Sequence, residues 1–303
     1  MNRATALRTL AALLAGPALG PISRSWAQES NASTGPLRVV ASFSILADMV
    51  QQVAGPLAEV HTLVGPGGDA HVFEPRPADA QKLARADLVV LNGLHLEGWM
   101  DRLIQASGFK GRRVVASDGV TPRLLDGHPD PHAWQSLRLA AIYVRNIRAG
   151  LKAALPRQAA RIDQQAARYL ADIEGLDARV RAQIGALAPA QRRAVTTHDA
   201  FGYFAAEYGV TWLAPQGWTT AEEVSAKDVT RVVRELRAQH VRALFLESAG
   251  DPRLMQQIAR EAGVHIGGEL YADTLSPAGG PADTYLHLFE HNVKTMLQAM
   301  RGS

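Results

Sequence analysis

Short apolar runs alternate along the chain with stretches whose apolar positions recur every three or four residues. Leu37-Arg38-Val39-Val40-Ala41-Ser42 reads as a strand, and Ile45 to Val53 as a helix stopped at Gly55. Ala58 to Val64 is a second strand, running into Gly65-Pro66-Gly67-Gly68. Pro77 to Arg85 predicts a helix with proline near its first turn. Leu88 to Leu91 is a strand ending at Asn92-Gly93, Trp99 to Ile104 a helix and Arg113 to Ala116 a strand. Such alternation builds an α/β fold with mostly parallel sheets.

A long helical stretch follows from about Pro156 to Leu187, with Ile162, Ala166, Tyr169, Ile173, Leu176, Val180 and Ile184 on one face. Beyond it the pattern restarts. Arg193 to Thr197, Val241 to Leu246 and His265-Ile266 read as strands; Ala200 to Tyr208, Pro252 to Ala262 and Ala282 to Met300 read as helices. Both halves use an apolar strand, a short polar loop and a Phe-bearing helix. The expected fold is therefore two similar α/β lobes joined by one long rigid helix. The divisions are a leader over 1–27, a linker over 28–36, an N-terminal lobe over 37–155, the joining helix over 156–187 and a C-terminal lobe over 188–303. A ligand is expected in the cleft, beyond the C-terminal ends of the strands.

The chain has 303 residues, and its absence of cysteine excludes disulfide scaffolds, thiolate metal sites and cysteine nucleophiles. Its net charge of +3 comes from Arg3, Arg8 and Arg24; the first 27 residues hold no acidic residue. The balance of the chain is neutral and carries no electrostatic drive toward nucleic acid. Residues 1–27 have the layout of a cleavable Sec signal: Arg3 and Arg8, an apolar stretch from Leu10 to Leu19, and Ser25-Trp26-Ala27 at the cleavage site. With no cysteine there is no lipid attachment, and no later segment is suited to spanning a membrane. The expectation is a protein free in the periplasm.

The informative polar residues follow predicted strands. His71 lies in Gly68-Asp69-Ala70-His71-Val72-Phe73-Glu74-Pro75, His132 in Asp130-Pro131-His132-Ala133-Trp134, His198 directly after Thr197, and Asp273 in Leu270-Tyr271-Ala272-Asp273-Thr274. Each histidine alone reads more readily as a loop or capping residue. Together, three imidazoles and a carboxylate are sound ligands for Zn²⁺, with Mn²⁺ or Fe²⁺ as alternatives. Two ligands from each lobe would clamp the cleft.

Among the other candidates, His287 and His291 sit four apart on a predicted helix and read as a solvated face. His95 reads as packing or an outer contact to the cleft, and His128 as a loop residue or a transient metal contact. His61, His240 and His265 receive no role. Glu74 and Asp199 adjoin ligands and would either orient imidazoles or cap helices. Phe73, Trp134, Phe201 and Tyr203 would form an apolar shell or simply core. The Gly65–Gly68 turn lacks the Gly-Lys-Ser/Thr ending of a phosphate loop, and there is no Gly-x-Ser-x-Gly elbow.

The segments Gly65 to Pro75, Asp130 to Trp134, His198-Asp199-Ala200-Phe201-Gly202-Tyr203-Phe204 and Gly267-Gly268-Glu269-Leu270-Tyr271-Ala272-Asp273 occur in this order. As a set they resemble the signature segments of the zinc/manganese substrate-binding proteins of ABC transporters, the cluster A-I family, from about Leu37 to the end of the chain. The resemblance implies two lobes bridged by a rigid helix, limited hinge motion, no enzymatic activity, and delivery of metal to a permease and its ATPase. A periplasmic metallochaperone is a further partner the class allows, and the expected form is a monomer. The metal ligands it implies are His71, His132, His198 and Asp273. Three histidines and an aspartate resemble the zinc members, whereas manganese members often have Glu at the place of His198. The long His- and acid-rich loop of many zinc members is reduced here to Asp126-Gly127-His128-Pro129-Asp130. Competing readings are a Mn²⁺-specific binding protein, a secreted zinc hydrolase with Asp273 as base, and a metal-stabilised adhesin.

Overall fold

A computed structural model describes residues 35–125, 127–239, 241 and 243–302. The expected leader over 1–27, most of the linker, Asp126 and His240 lie outside the described residues. The first half runs β1 (Leu37–Phe43), α1 (Ser44–Ala54), β2 (Ala58–Val64), α2 (Pro77–Ala84), β3 (Leu88–Leu91), α3 (Met100–Ser107) and β4 (Arg112–Val115). These strands form one wholly parallel sheet in the order β2-β1-β3-β4. β3 is buried along its whole length, which is why it reads as an unbroken apolar run.

A two-strand antiparallel hairpin, β5 (Leu124–Leu125) and β6 (His128–Pro129), leads to α4 (Leu137–Ala154) and α5 (Ala159–Gly185). The second half runs β7 (Arg193–Val195), α6 (Gly202–Tyr208), β8 (Thr211–Leu213), α7 (Ala226–Ala238), β9 (Ala243–Glu247), α8 (Pro252–Ala262), β10 (Ile266–Leu270) and α9 (Tyr285–Arg301). Its sheet is again wholly parallel, in the order β10-β9-β7-β8. Numbered within each sheet, both orders read 2-1-3-4, with the chain reversing direction across the sheet between strands 1 and 3. Ligands collect at such points, beyond the strand ends.

The joining helix is α5, 27 residues long, or about 40 Å at 1.5 Å per residue. Its buried face is Ile162, Ala166, Tyr169, Ile173, Leu176, Val180 and Ile184, as the periodicity predicts. It packs against α1 and α4 on one side and α6 and α9 on the other. One apolar core therefore runs from the first sheet through α1, α4 and α5 to α6 and α9. A smaller core, including Val195, Val232, Leu236, Leu244, Met255 and Ile258, lies under the second sheet.

Beyond the short β5–β6 hairpin, which no pattern predicted, four elements differ from the sequence expectation. α4 was not expected, although Ser136 caps it by accepting from the Leu139 amide and Leu137, Ala140, Tyr143, Val144, Ile147 and Leu151 form its buried face. α7 buries only Val232, Val233 and Leu236 among charged residues, too few to stand out as an apolar stripe. β8 has three residues and no fully buried position. β10 extends to Leu270, not just His265-Ile266; Gly267, Gly268 and an irregularity of register between Ile266 and Glu269 hide it from an apolar pattern.

Candidate metal centre

The four loops bring His71, His132, His198 and Asp273 together, each offering a donor atom within 4.8 Å of the others. His71 Nε2 lies 3.2 Å from His132 Nε2 and 3.5 Å from Asp273 Oδ2. Asp273 Oδ1 is 3.7 Å from His132 Nε2, and Asp273 Oδ2 is 3.0 Å from His198 Nε2. Tetrahedral coordination with bonds of about 2.0–2.1 Å has edges of about 3.3–3.4 Å, so these separations suit one small ion. The side chains are between 0% and 6% exposed, and Asp273 Oδ1 has no hydrogen-bond partner. A donor atom buried without a partner is costly unless something else satisfies it.

Local turns aim each imidazole. His71 follows β2, and its amide donates to Asp69 Oδ1 at 2.8 Å. Trp99 Nε1 steadies the same loop by donating to the Ala70 carbonyl. His132 uses the same device two residues after Asp130, whose Oδ1 accepts from the His132 amide at 3.0 Å and lies 2.8 Å from His132 Nδ1. Arg123 Nη1 donates to the other Asp130 oxygen at 2.7 Å, and the Tyr203 hydroxyl donates to the Asp130 carbonyl. Asn92 Nδ2 donates to the Pro131 carbonyl. His198 follows β7; its amide donates to Glu247 Oε1 at 3.0 Å and its Nδ1 lies 2.5 Å from Glu247 Oε2. A carboxylate at Nδ1 keeps the proton there and leaves the Nε2 lone pair facing the cluster.

Asp273 belongs to the second half in sequence, but much of its loop is held by the first. Trp134 Nε1 and Gln135 Nε2 donate to the Ala272 carbonyl at 3.0 and 2.7 Å. Leu275 N donates to Ser44 Oγ at 2.9 Å, and Gly67 N donates to Thr274 Oγ1 at 2.8 Å. Gly67 makes that contact with φ of 77°, in the left-handed region that favours glycine. Two of the four residues come from each half of the chain, and the Asp273 loop is held from both sides, since Tyr271 also exchanges two hydrogen bonds with Asn292 of α9. His71, His132 and Asp273 are tied to first-half elements, and only His198 stands wholly on the second sheet.

The electrostatics follow burial and proximity. Burial would raise the Asp273 carboxyl, but the imidazoles of His198 and His132 hold it well below the usual carboxylate range. Burial lowers the His71 imidazole below its ordinary value, against the pull of Asp273. His71 and Asp273 are thereby in the forms a metal takes up, whereas burial would lower the His198 imidazole but Glu247 and Asp273 raise it well above its ordinary value, so a metal binding there displaces a proton.

Other sequence candidates fall elsewhere. Glu74 is exposed, and Asp199 makes no hydrogen bond to an imidazole among the described residues. The carboxylates that back the imidazoles are instead Asp130 and Glu247. Asp130 was legible as Asp-x-His, the spacing that also precedes His71; Glu247 was legible only as an acid closing an apolar strand. Trp134 is buried with its ring 5.3 Å from that of His132. Phe73 packs on Trp99, and Phe201 stacks on Trp212. His95 is exposed; His128 lies 5.9 Å from the Trp218 ring. His287 pairs with Asp283, and His291 Nε2 lies 3.1 Å from the Glu269 carbonyl oxygen, so neither joins the cluster. A cavity of about 300 Å³, lined by Asp69, Gln216, Thr220, Ser248, Asp251 and Asp273 among others, adjoins the site. At its rim the Thr220 hydroxyl donates to Asp69 Oδ2 at 2.6 Å.

Two parallel-sheet lobes, a joining helix and a buried cluster of three histidines and an aspartate define a metal-binding, periplasmic substrate-binding protein of the kind that serves ABC transporters. The chain belongs to the family described as "Zinc-uptake complex component A periplasmic", whose model matches residues 39–299. It is 33% identical over 275 residues to the manganese-binding lipoprotein MntA of Bacillus subtilis (strain 168), covering 88% of this chain and 90% of that one. It is 32% identical over 305 residues to the zinc-binding protein TroA of Treponema pallidum (strain Nichols), covering 97% and 98%. The solved structure of the periplasmic zinc-binding protein TroA from Treponema pallidum superposes with a TM-score of 0.85 at 30% identity, covering 88% of this chain and 99% of that one. The Mn-bound periplasmic metal-binding protein from Candidatus Liberibacter asiaticus superposes with a TM-score of 0.80 at 32% identity, covering 87% and 99%. No helix among the described residues is long and apolar enough to cross a membrane.

Proposed function

We propose that this protein captures Zn²⁺ in the periplasm, through His71, His132, His198 and Asp273, and hands it to the permease of an ABC importer. One observation carries the zinc assignment: three nitrogen donors and one carboxylate, with buried side chains, gather within 4.8 Å of one another, with contacts of 3.0 to 3.7 Å among them. Four-coordination with imidazole favours Zn²⁺, and the Irving–Williams order puts Zn²⁺ above Mn²⁺ and Fe²⁺ for such a donor set. The names of the relatives include manganese, iron and zinc, so the choice of metal rests on the donors.

In this reading residues 37–155 and 188–303 act as the two lobes and 156–187 as the strut between them. Residues 1–27 direct export and are removed. Release requires the permease to disturb the ligand geometry, and the cavity at the rim is the side from which solvent or an acceptor reaches Asp273 and His198. The test is competition of Zn²⁺ against Mn²⁺ and Fe²⁺ on metal-stripped protein, with elemental analysis of what remains bound. One equivalent of zinc, held in a tenfold excess of manganese, is the expected result. Preferential retention of manganese would overturn the zinc assignment, and turnover of an ester or peptide substrate would overturn the transport reading.

A further inference from the structure

The two carboxylates that back the imidazoles have different surroundings. Asp130 behind His132 is neutralised by Arg123, whose Nη1 lies 2.7 Å away. Glu247 behind His198 is equally buried from solvent, with its side chain 6% exposed, and among the described residues no lysine or arginine pairs with it. Among the described residues its only ion-pair partner is His198.

We infer that Glu247 is a positioning residue that fixes His198 for a metal ion, holding both its amide and its ring, and that sets behind this ligand a carboxylate paired with no lysine or arginine among the described residues. The inference rests on the four residues being the metal ligands.

Two further observations isolate Glu247 as the support of this ligand. His71, His132 and Asp273 share anchors on first-half elements, including Trp99, Asn92, Trp134 and Ser44. His198 lacks such anchors, and Glu247 holds both its amide and its ring. Glu247 ends β9, which pairs directly with β7, the strand that delivers His198. A carboxylate at Nδ1 also strengthens Nε2 as a donor, and that gain is larger for a metal that prefers nitrogen. Glu247 therefore acts on the ratio of zinc to manganese affinity as well as on affinity itself.

The experiment uses full-length mature protein carrying Glu247→Gln. Glutamine keeps an acceptor oxygen for the ring and removes the charge. Zinc affinity, read by competition with a chromophoric chelator, is expected to fall about 10- to 100-fold. Manganese affinity is expected to fall less, so the ratio of the two narrows, while the circular dichroism spectrum of the stripped protein is unchanged. Zinc affinity within threefold of wild type would overturn the inference, as would equal losses for both metals. If Glu247→Gln does not fold, Glu247→Asp decides: it keeps the charge, and a loss as large as that of His198→Ala would overturn the inference. Wild-type protein that fails to bind zinc would instead refute the proposed function.

Discussion

β1 and β7 hold the same place in two sheets of the same strand order, yet they carry different shares of the work. β1 is seven residues long, pairs with β2 at six positions and is buried at every position but one. β7 has three residues and pairs with β9 at two positions. The first sheet and its helices anchor three members of the candidate site; the second sheet anchors His198. Asp273 makes the lesson concrete, because its place in the chain and much of its mechanical support lie on opposite sides of the cleft. A movement of the second sheet would carry His198 and Glu247 with it and would pull Asp273, which follows β10, against its first-half hydrogen bonds.

The largest effect should come from removing donors. Asp273→Ala and His132→Ala are each expected to weaken zinc binding well beyond the roughly 100-fold typical of an outer supporting residue, measured by chelator competition. His198→Ala should retain the most residual affinity of the four single variants, because its loss leaves three donors that share first-half anchors. The reverse ranking would break the comparison.

Next is the anchor itself. Trp134→Phe combined with Gln135→Leu removes both side-chain donors to the buried Ala272 carbonyl. The unmet acceptor costs about 1–3 kcal/mol, which at this size is a fall in Tm of several degrees by calorimetry. Zinc should also leave faster in stopped-flow chelation. Unchanged release would mean that the first half does not steady Asp273.

A smaller change is expected from Thr274→Val. It deletes the acceptor for the Gly67 amide, although that amide also donates to the Leu275 carbonyl at 3.3 Å. Loss of about 1 kcal/mol and a modest rise in zinc off-rate are expected.

The smallest effect concerns a joint away from the metal. Asp48 on α1 accepts from the Tyr285 amide at the start of α9 at 2.9 Å. Burial raises its carboxyl above the ordinary range, against the hydrogen bonds from Tyr285 and Gln52. A raised carboxyl binds its proton more tightly in the folded chain, so this contribution is present at low pH. It is lost as pH rises from near 4 through the raised value. Asp48→Asn should therefore match or exceed wild-type Tm at pH 7, by at most a few degrees, and the gain should vanish toward pH 3.5. A gain that persists at low pH would assign it to something other than the buried charge.

Much of the scaffold was readable from local pattern. β2, β3 and α8 fall on their expected boundaries, and α5 buries its expected face, because period and end signals are properties of neighbouring residues. α7 and β8 escaped because short or highly charged elements are held by partners distant in sequence, whereas α4 carries a local signal in its Ser136 cap and apolar face that was not read. The four members of the site could be singled out by their position after strands and by the order of their segments.

What the chain order alone could not carry is which residues stand behind them. Asp199 is the nearest acid in sequence to His198, but Glu247, 49 positions away, is the acid that holds its ring. Parallel strands place residues far apart in sequence side by side at one sheet edge. The amino-acid sequence determined the donor types, the alternating elements and the long apolar face of α5. Tertiary structure decided which lobe steadies Asp273, which carboxylate meets which imidazole and where charge is left uncancelled, because those depend on distances between segments that no local pattern encodes.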